Sequence, residues 1–292
     1  MVPSIARAVR AFGLLCLLGA AWLPARPRAR AIAQGGLTES LELAHRAFDV
    51  PEGAPTLVAH AAADLPETGP LELVLFLHGW SGCVNVLVRS GPTACIAGGP
   101  LEQGWGLGEA HDRAGRRSSV LLAPQLAYRT RDGHPGRLAR QGYADAMIRE
   151  ALERLAGPLH GRGLDDVSRI TVVAHSAAFE SALAVLRRGG LGERVRRVVL
   201  FDALYDAPSA FAAWALEDPS RSLVSLHTGV GRTLDRNQRL VAALRARLSS
   251  SELAVDPPDL AAAVRTHRVV VARTRAGHGQ VPARHFPDVL AE

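Results

Sequence analysis

The chain has 292 residues, 48% hydrophobic and 21% charged, enough apolar material for one large core, and this composition excludes collagen-like, low-complexity and natively disordered classes. All 34 Lys+Arg positions are Arg, so no mechanism through a lysine Schiff base or a Ser-Lys dyad is available. The formal charge of +6 is concentrated at one end: residues 1–33 hold five Arg and no acid, and the remainder carries 29 Arg against 28 acids, a net +1, so no nucleic-acid partner is expected.

Residues 1–33 read first as a targeting segment. Arg7 and Arg10 precede an apolar stretch at 11–23, and two A-x-A sites follow, Ala29-Arg30-Ala31 and Ala31-Ile32-Ala33. That order predicts a cleaved secretory signal peptide and a secreted or periplasmic protein, although Arg26, Arg28 and Arg30 before the cleavage site are atypical. The apolar run is shorter than the roughly 20 residues a membrane span needs, so no stable span is expected after cleavage. An uncleaved leader acting as a membrane anchor is the alternative. Cleavage removes Cys16 and leaves Cys83 and Cys95, for which an oxidising compartment predicts a disulfide stabilising by about 2–3 kcal/mol; otherwise they are two unrelated buried thiols. Neither C-x-x-C nor H-E-x-x-H occurs, and no metal site is read from the sequence. Residues 34–292 contain no internal repeat or long linker and read as a single domain.

Apolar runs then alternate with helical stripes. An antiparallel edge strand is predicted at 55–61, and strands at 71–77 (LELVLFL), 120–123 (VLLA), 170–174 (ITVVA), 195–201 (VRRVVLF), 223–226 (LVSL) and 269–272 (VVVA). Nearly continuous apolar runs suit strands covered on both faces. Helices are predicted from Ala144, Met147, Ile148, Ala151, Leu152 and Leu155, from the apolar cluster 182–186, and from Leu240, Val241, Leu244 and Leu248. The alternation implies an α/β fold, a mostly parallel central sheet with helices on both faces. Chemistry in such a sheet sits just beyond the carboxyl ends of the strands.

The 170–174 run enters His175-Ser176-Ala177-Ala178 and a helix begins at once. A strand turning sharply into a helix at a serine lifts its hydroxyl above the sheet, beside the free N–H groups of the helix end. A serine capping the helix is the plain alternative. The segment resembles the G-x-S-x-G elbow of the α/β-hydrolase superfamily, and in particular of secreted bacterial serine esterases and lipases, with Ala174 and Ala178 in place of both glycines. His78-Gly79-Trp80 after the 71–77 strand is similar to the H-G-x motif of that superfamily. The resemblance implies main-chain oxyanion donors at Trp80 and Ala177 and a bracing role for His78.

His278, in Ala276-Gly277-His278-Gly279 after the last strand, occupies the position of the superfamily's general base; His285 is the reserve, and His227 and His267 are read as packing or surface residues. For the acid, Asp202 follows the 195–201 strand and is favoured over Asp235, which follows the next strand, with Asp206 a third option. The order Ser176, Asp202, His278 is the order of this fold.

The resemblance therefore implies a secreted serine hydrolase that cleaves a carboxylic ester, or an amide, through an acyl-enzyme. Its partner is a small-molecule or lipid ester, and no cofactor or metal is required. A non-catalytic binding protein on the same fold and a cell-envelope acyltransferase are the rival readings. Residues 81–118, Phe211 and Trp214 on a short helix at 208–216, and Tyr128, Arg129, Arg131 and His134 are expected around the rim of the site.

Overall fold

The computed structural model describes residues 36–290, so the expected signal peptide and Cys16 lie outside the described residues. In chain order the first half comprises β1 (Leu37–Leu41), β2 (Leu57–Ala61), β3 (Leu71–Leu77), α1 (Val84–Val88), β4 (Pro92–Ala94), β5 (Leu101–Gln103), α2 (Leu107–Arg113), β6 (Ser119–Pro124) and α3 (Tyr143–Arg154). The second half comprises β7 (Val167–His175), α4 (Phe179–Arg188), β8 (Val195–Phe201), α5 (Pro208–Glu217), β9 (Ser222–His227), α6 (Gly231–Arg245), β10 (Leu253–Val255), α7 (Leu260–Thr266), β11 (Val269–Arg273) and α8 (Val281–Leu290).

Nine strands form one sheet in the order β1-β2-β6-β3-β7-β8-β9-β11-β10. The β1/β2 and β2/β6 pairs are antiparallel, and every other neighbouring pair is parallel. Strand pleating sends alternate residues to opposite faces, which is why the apolar runs are nearly continuous. Leu71, Leu73, Leu75 and Leu77 join the layer that holds Met147 of α3, Ala182 of α4, Phe211 of α5 and Leu240 of α6. Val74 and Phe76 join the opposite layer, with Leu87 of α1, Leu107 of α2, Val264 of α7 and Phe286 of α8.

Three details depart from expectation. The 55–61 run is antiparallel but does not form the edge, because β1 pairs outside it. Every residue of β2 is buried, as a covered strand requires, whereas the mixed LTESL of β1 is mostly half-buried and suits the edge. Residues 81–118 are not one bare loop: they fold into α1, the antiparallel β4–β5 hairpin and α2, and a disulfide joins Cys83 to Cys95 with a Cα–Cα distance of 6.0 Å. Leu248, placed on the sequence's third helical stripe, lies beyond the end of α6. Among the described residues no helix is long and apolar enough to cross a membrane.

Candidate active site

β7 ends at His175, and Ser176 turns the chain with φ of +57° before a short 3-10 turn leads into α4. A left-handed conformation costs a β-carbon-bearing residue roughly 1–2 kcal/mol, and such strain persists only where the surroundings enforce it. Here β7 is hydrogen-bonded on both sides, by β3 and β8, and Ala174 and Ala178 are both buried in the core that holds α3 and α4. Neither alanine has a positive φ, so the two missing glycines are not demanded by the backbone, and their methyl groups pack instead of clashing.

Gly79 does need to be glycine. A β-carbon there would stand 2.5 Å from Ser176 Cβ and 3.1 Å from His175 O, so the His78-Gly79-Trp80 backbone passes directly against the serine. Its course is held by His78, which is buried: Nε2 accepts the Leu126 N–H at 2.9 Å, and Nδ1 donates to Gly79 O at 2.7 Å. Desolvation lowers the His78 pKa to about 4, so the ring is a neutral brace at ordinary pH. Among the described residues the Trp80 N–H has no acceptor, and the Trp80 ring is exposed.

His278 follows β11 and brings Nε2 to 2.9 Å from Ser176 Oγ. Its Nδ1 lies 2.7 Å from Oδ2 of Asp202, the residue that follows β8. Asp202 is buried, and burial alone would raise its pKa. Hydrogen bonds outweigh that and lower it to about 2: His278, Thr233 Oγ1 at 2.7 Å and Thr228 N–H at 3.2 Å all donate to the carboxylate. Asp235 is exposed on α6, with no hydrogen bond to His278, and Asp206 pairs with Arg236 at 3.4 Å. His285 is engaged by Thr274 and Asp288, His267 by Thr266 Oγ1, and His227 by the Gly229 N–H.

A cavity of about 420 Å³ opens over Ser176 and His278, walled by Trp80, Val86, Leu87 and Trp105, with Glu102 and Arg129 on its polar side. No protein-family profile and no curated protein sequence matches the chain. Solved structures do. A ferulic acid esterase superposes with a TM-score of 0.50 at 12% identity, covering 87% of this chain and 95% of its own. A serine-to-alanine mutant of the feruloyl esterase module from Clostridium thermocellum, complexed with sinapinate, superposes with a TM-score of 0.51 at 9% identity, covering 90% and 89%. The chain has the α/β-hydrolase fold.

Several residues around the candidate site were invisible in sequence. His175 is buried beside the serine, and its Nε2 donates to the main-chain carbonyl of His278 at 3.1 Å. Its ring lies 4.9 Å from that of His278 and 5.7 Å, edge-on, from Trp105. Desolvation and the neighbouring His278 lower the His175 pKa to about 3. Tyr205 stands edge-on to His278 with ring centroids 6.5 Å apart. Of the four rim residues expected after β6, Arg129 lines the cavity, held by Glu102 and by Cys95 Sγ at 3.0 Å. Tyr128 packs on the disulfide, and Arg131 and His134 are exposed away from the cavity lining. Phe211 is a core residue, and Trp214 stacks with Arg221 rather than lining the cavity.

Proposed function

We propose that this chain is a serine hydrolase that cleaves small carboxylic esters through an acyl-enzyme. The observation that carries the reading is the unbroken hydrogen-bond chain from Ser176 Oγ through His278 to Asp202, with links of 2.9 and 2.7 Å, opening into a cavity. His278 takes the proton from Ser176 as Oγ attacks the carbonyl carbon, and Asp202 holds the imidazole tautomer with its proton on Nδ1. The developing oxyanion is received by the N–H groups of Trp80 and Ala177, aided by the amino end of α4. His278 then delivers the proton to the leaving alcohol, and the same residues direct water onto the acyl-enzyme. The ionised Asp202 suits its role as the partner of a transient imidazolium.

Trp80, Trp105, Val86 and Leu87 make the walls apolar and partly aromatic. A planar aromatic or short acyl group fits a cavity of about 420 Å³ better than a long lipid chain. The fold shared with two esterases that act on feruloyl-type esters points the same way. The leader at residues 1–33 and the Cys83–Cys95 disulfide support export to an oxidising compartment.

The test is labelling by a fluorophosphonate probe beside hydrolysis of a panel of 4-nitrophenyl and aryl-acid esters. Wild type is expected to label and turn over, and Ser176→Ala to lose both. A well-folded wild type that neither labels nor hydrolyses would favour the non-catalytic reading, and faster release to an added alcohol than to water would favour acyl transfer.

A further inference from the structure

We propose that His60, His111 and Asp112 form a binding site for a divalent cation of the zinc type, separate from the Ser176 cavity. One donor atom from each of the three lies within 4.8 Å of the others, a grouping that no other described residues share. His60 is buried on β2, His111 is fully buried on α2, and Asp112 follows it at the surface. Because His60 and Asp112 are 52 positions apart, no contiguous metal motif exists to be read, and the sequence registered none.

The polar partners point to a ligand rather than to a closed network. His60 Nδ1 lies 2.8 Å from Thr38 Oγ1, a bond that orients the ring and leaves Nε2 facing Asp112 Oδ1 at 3.0 Å. His111 Nε2 is taken by Ser119 Oγ at 2.9 Å, while His111 Nδ1 is buried with no hydrogen-bond partner. An orphaned buried ring nitrogen costs about 1–3 kcal/mol, and buried polar atoms are rarely left so. A cation accepting the Nδ1 lone pair removes that cost. Each histidine would then bind through one nitrogen while the other is oriented by a hydroxyl, the usual outer-shell arrangement.

Two imidazoles and a carboxylate make a zinc-type donor set with a fourth position left over. Bonds of about 2.0–2.1 Å set tetrahedral donors roughly 3.4 Å apart. The His60–Asp112 pair, at 3.0 Å, lies within a few tenths of an ångström of that spacing, and one donor atom of each of the three residues lies within 4.8 Å of the others. Asp112 lines a surface cavity of about 230 Å³, which provides the entry path. Asp64 lines it too, 55% exposed at its side chain and held by Arg117, so the fourth position is left to water. The cations at this cavity are compensated: Arg116 pairs with Glu72, and Arg117 with Asp64 at 2.9 Å. An ion here would clasp α2 to β2, and so steady the segment that carries Trp105 into the Ser176 cavity.

The experiment uses untagged full chain stripped with a chelator. Calorimetric titration with Zn²⁺ is expected to show one ion per chain, and a hundredfold excess over Kd to raise Tm by about 5–10 °C. Asp112→Asn and His60→Gln should each weaken binding at least tenfold, while His134→Gln leaves it unchanged. Zinc-edge X-ray absorption of the wild type is expected to report two imidazole ligands, a readout that needs no variant to fold. Failure to take up one ion per chain, affinity indifferent to both substitutions, or ligation without two imidazoles would overturn the site. Ester hydrolysis plays no part in these readouts, so the site and the proposed esterase activity stand or fall separately.

Discussion

His175 Nε2 donates to the backbone carbonyl of His278 at 3.1 Å, so the residue before the serine holds the loop that carries the imidazole. The two rings are tilted 33° from one another at 4.9 Å, and His175 is buried between that loop and Trp105. His175→Phe keeps most of the packing and removes the donor. Because proton transfer depends on placing Nε2 within a few tenths of an ångström, kcat is expected to fall about 10- to 100-fold with little change in KM. His175→Gln, which can still donate, should recover part of the loss. Steady-state kinetics on an aryl ester decide it, and equal kcat in wild type and His175→Phe would remove the positioning role.

Asp202 and Asp235 separate cleanly by substitution. Asp202→Asn leaves the shape but can favour the wrong His278 tautomer, and turnover is expected to drop on the order of 10³- to 10⁴-fold. Asp235 is exposed on α6, so Asp235→Asn should stay within twofold of wild type. The reverse pattern would assign the acid to Asp235.

Gly79→Ala introduces a β-carbon 2.5 Å from Ser176 Cβ, well inside contact distance. The loop or the serine must shift, and either movement spoils the oxyanion geometry. A loss of at least 100-fold in kcat/KM is expected, with destabilisation of about 1–3 kcal/mol by urea titration. Near-normal activity would mean that the His78-Gly79-Trp80 backbone is not part of the reacting site.

Acid should weaken the fold through buried histidines. His78 and His175 have pKa values lowered by burial to about 4 and about 3, whereas in the unfolded chain they titrate near 6.5. Between those limits the unfolded state binds more protons, so stability falls as pH falls, by up to about 1.4 kcal/mol per pH unit for each ring. Asp202, lowered to about 2, contributes stability that is present above its ordinary 3.8 and disappears as pH drops through 2. Urea midpoints at pH 7 and 4.5 test the histidine part; a flat profile would show that these rings are not held neutral.

How much of this was legible beforehand follows from the range of the interactions concerned. The helix-sheet alternation and the turn at Ser176 are carried by consecutive residues: apolar runs such as LELVLFL, buried on both faces, and small alanines flanking one serine. Local sequence therefore determined the α/β class, the strand ends and the candidate serine and histidine. Asp202 was favoured over Asp235 at that level but not separated from it, because both follow apolar strands. The choice depends on which strand end lies beside β7, and β8 does, while Asp235 falls one turn into α6 on its exposed face. The same holds for His175 over His278, for Gly79 under Ser176, for β1 covering β2, and for His60 meeting Asp112. Each joins residues that chain order keeps apart, and only burial of the two helical layers on one twisted sheet brings them within bonding distance.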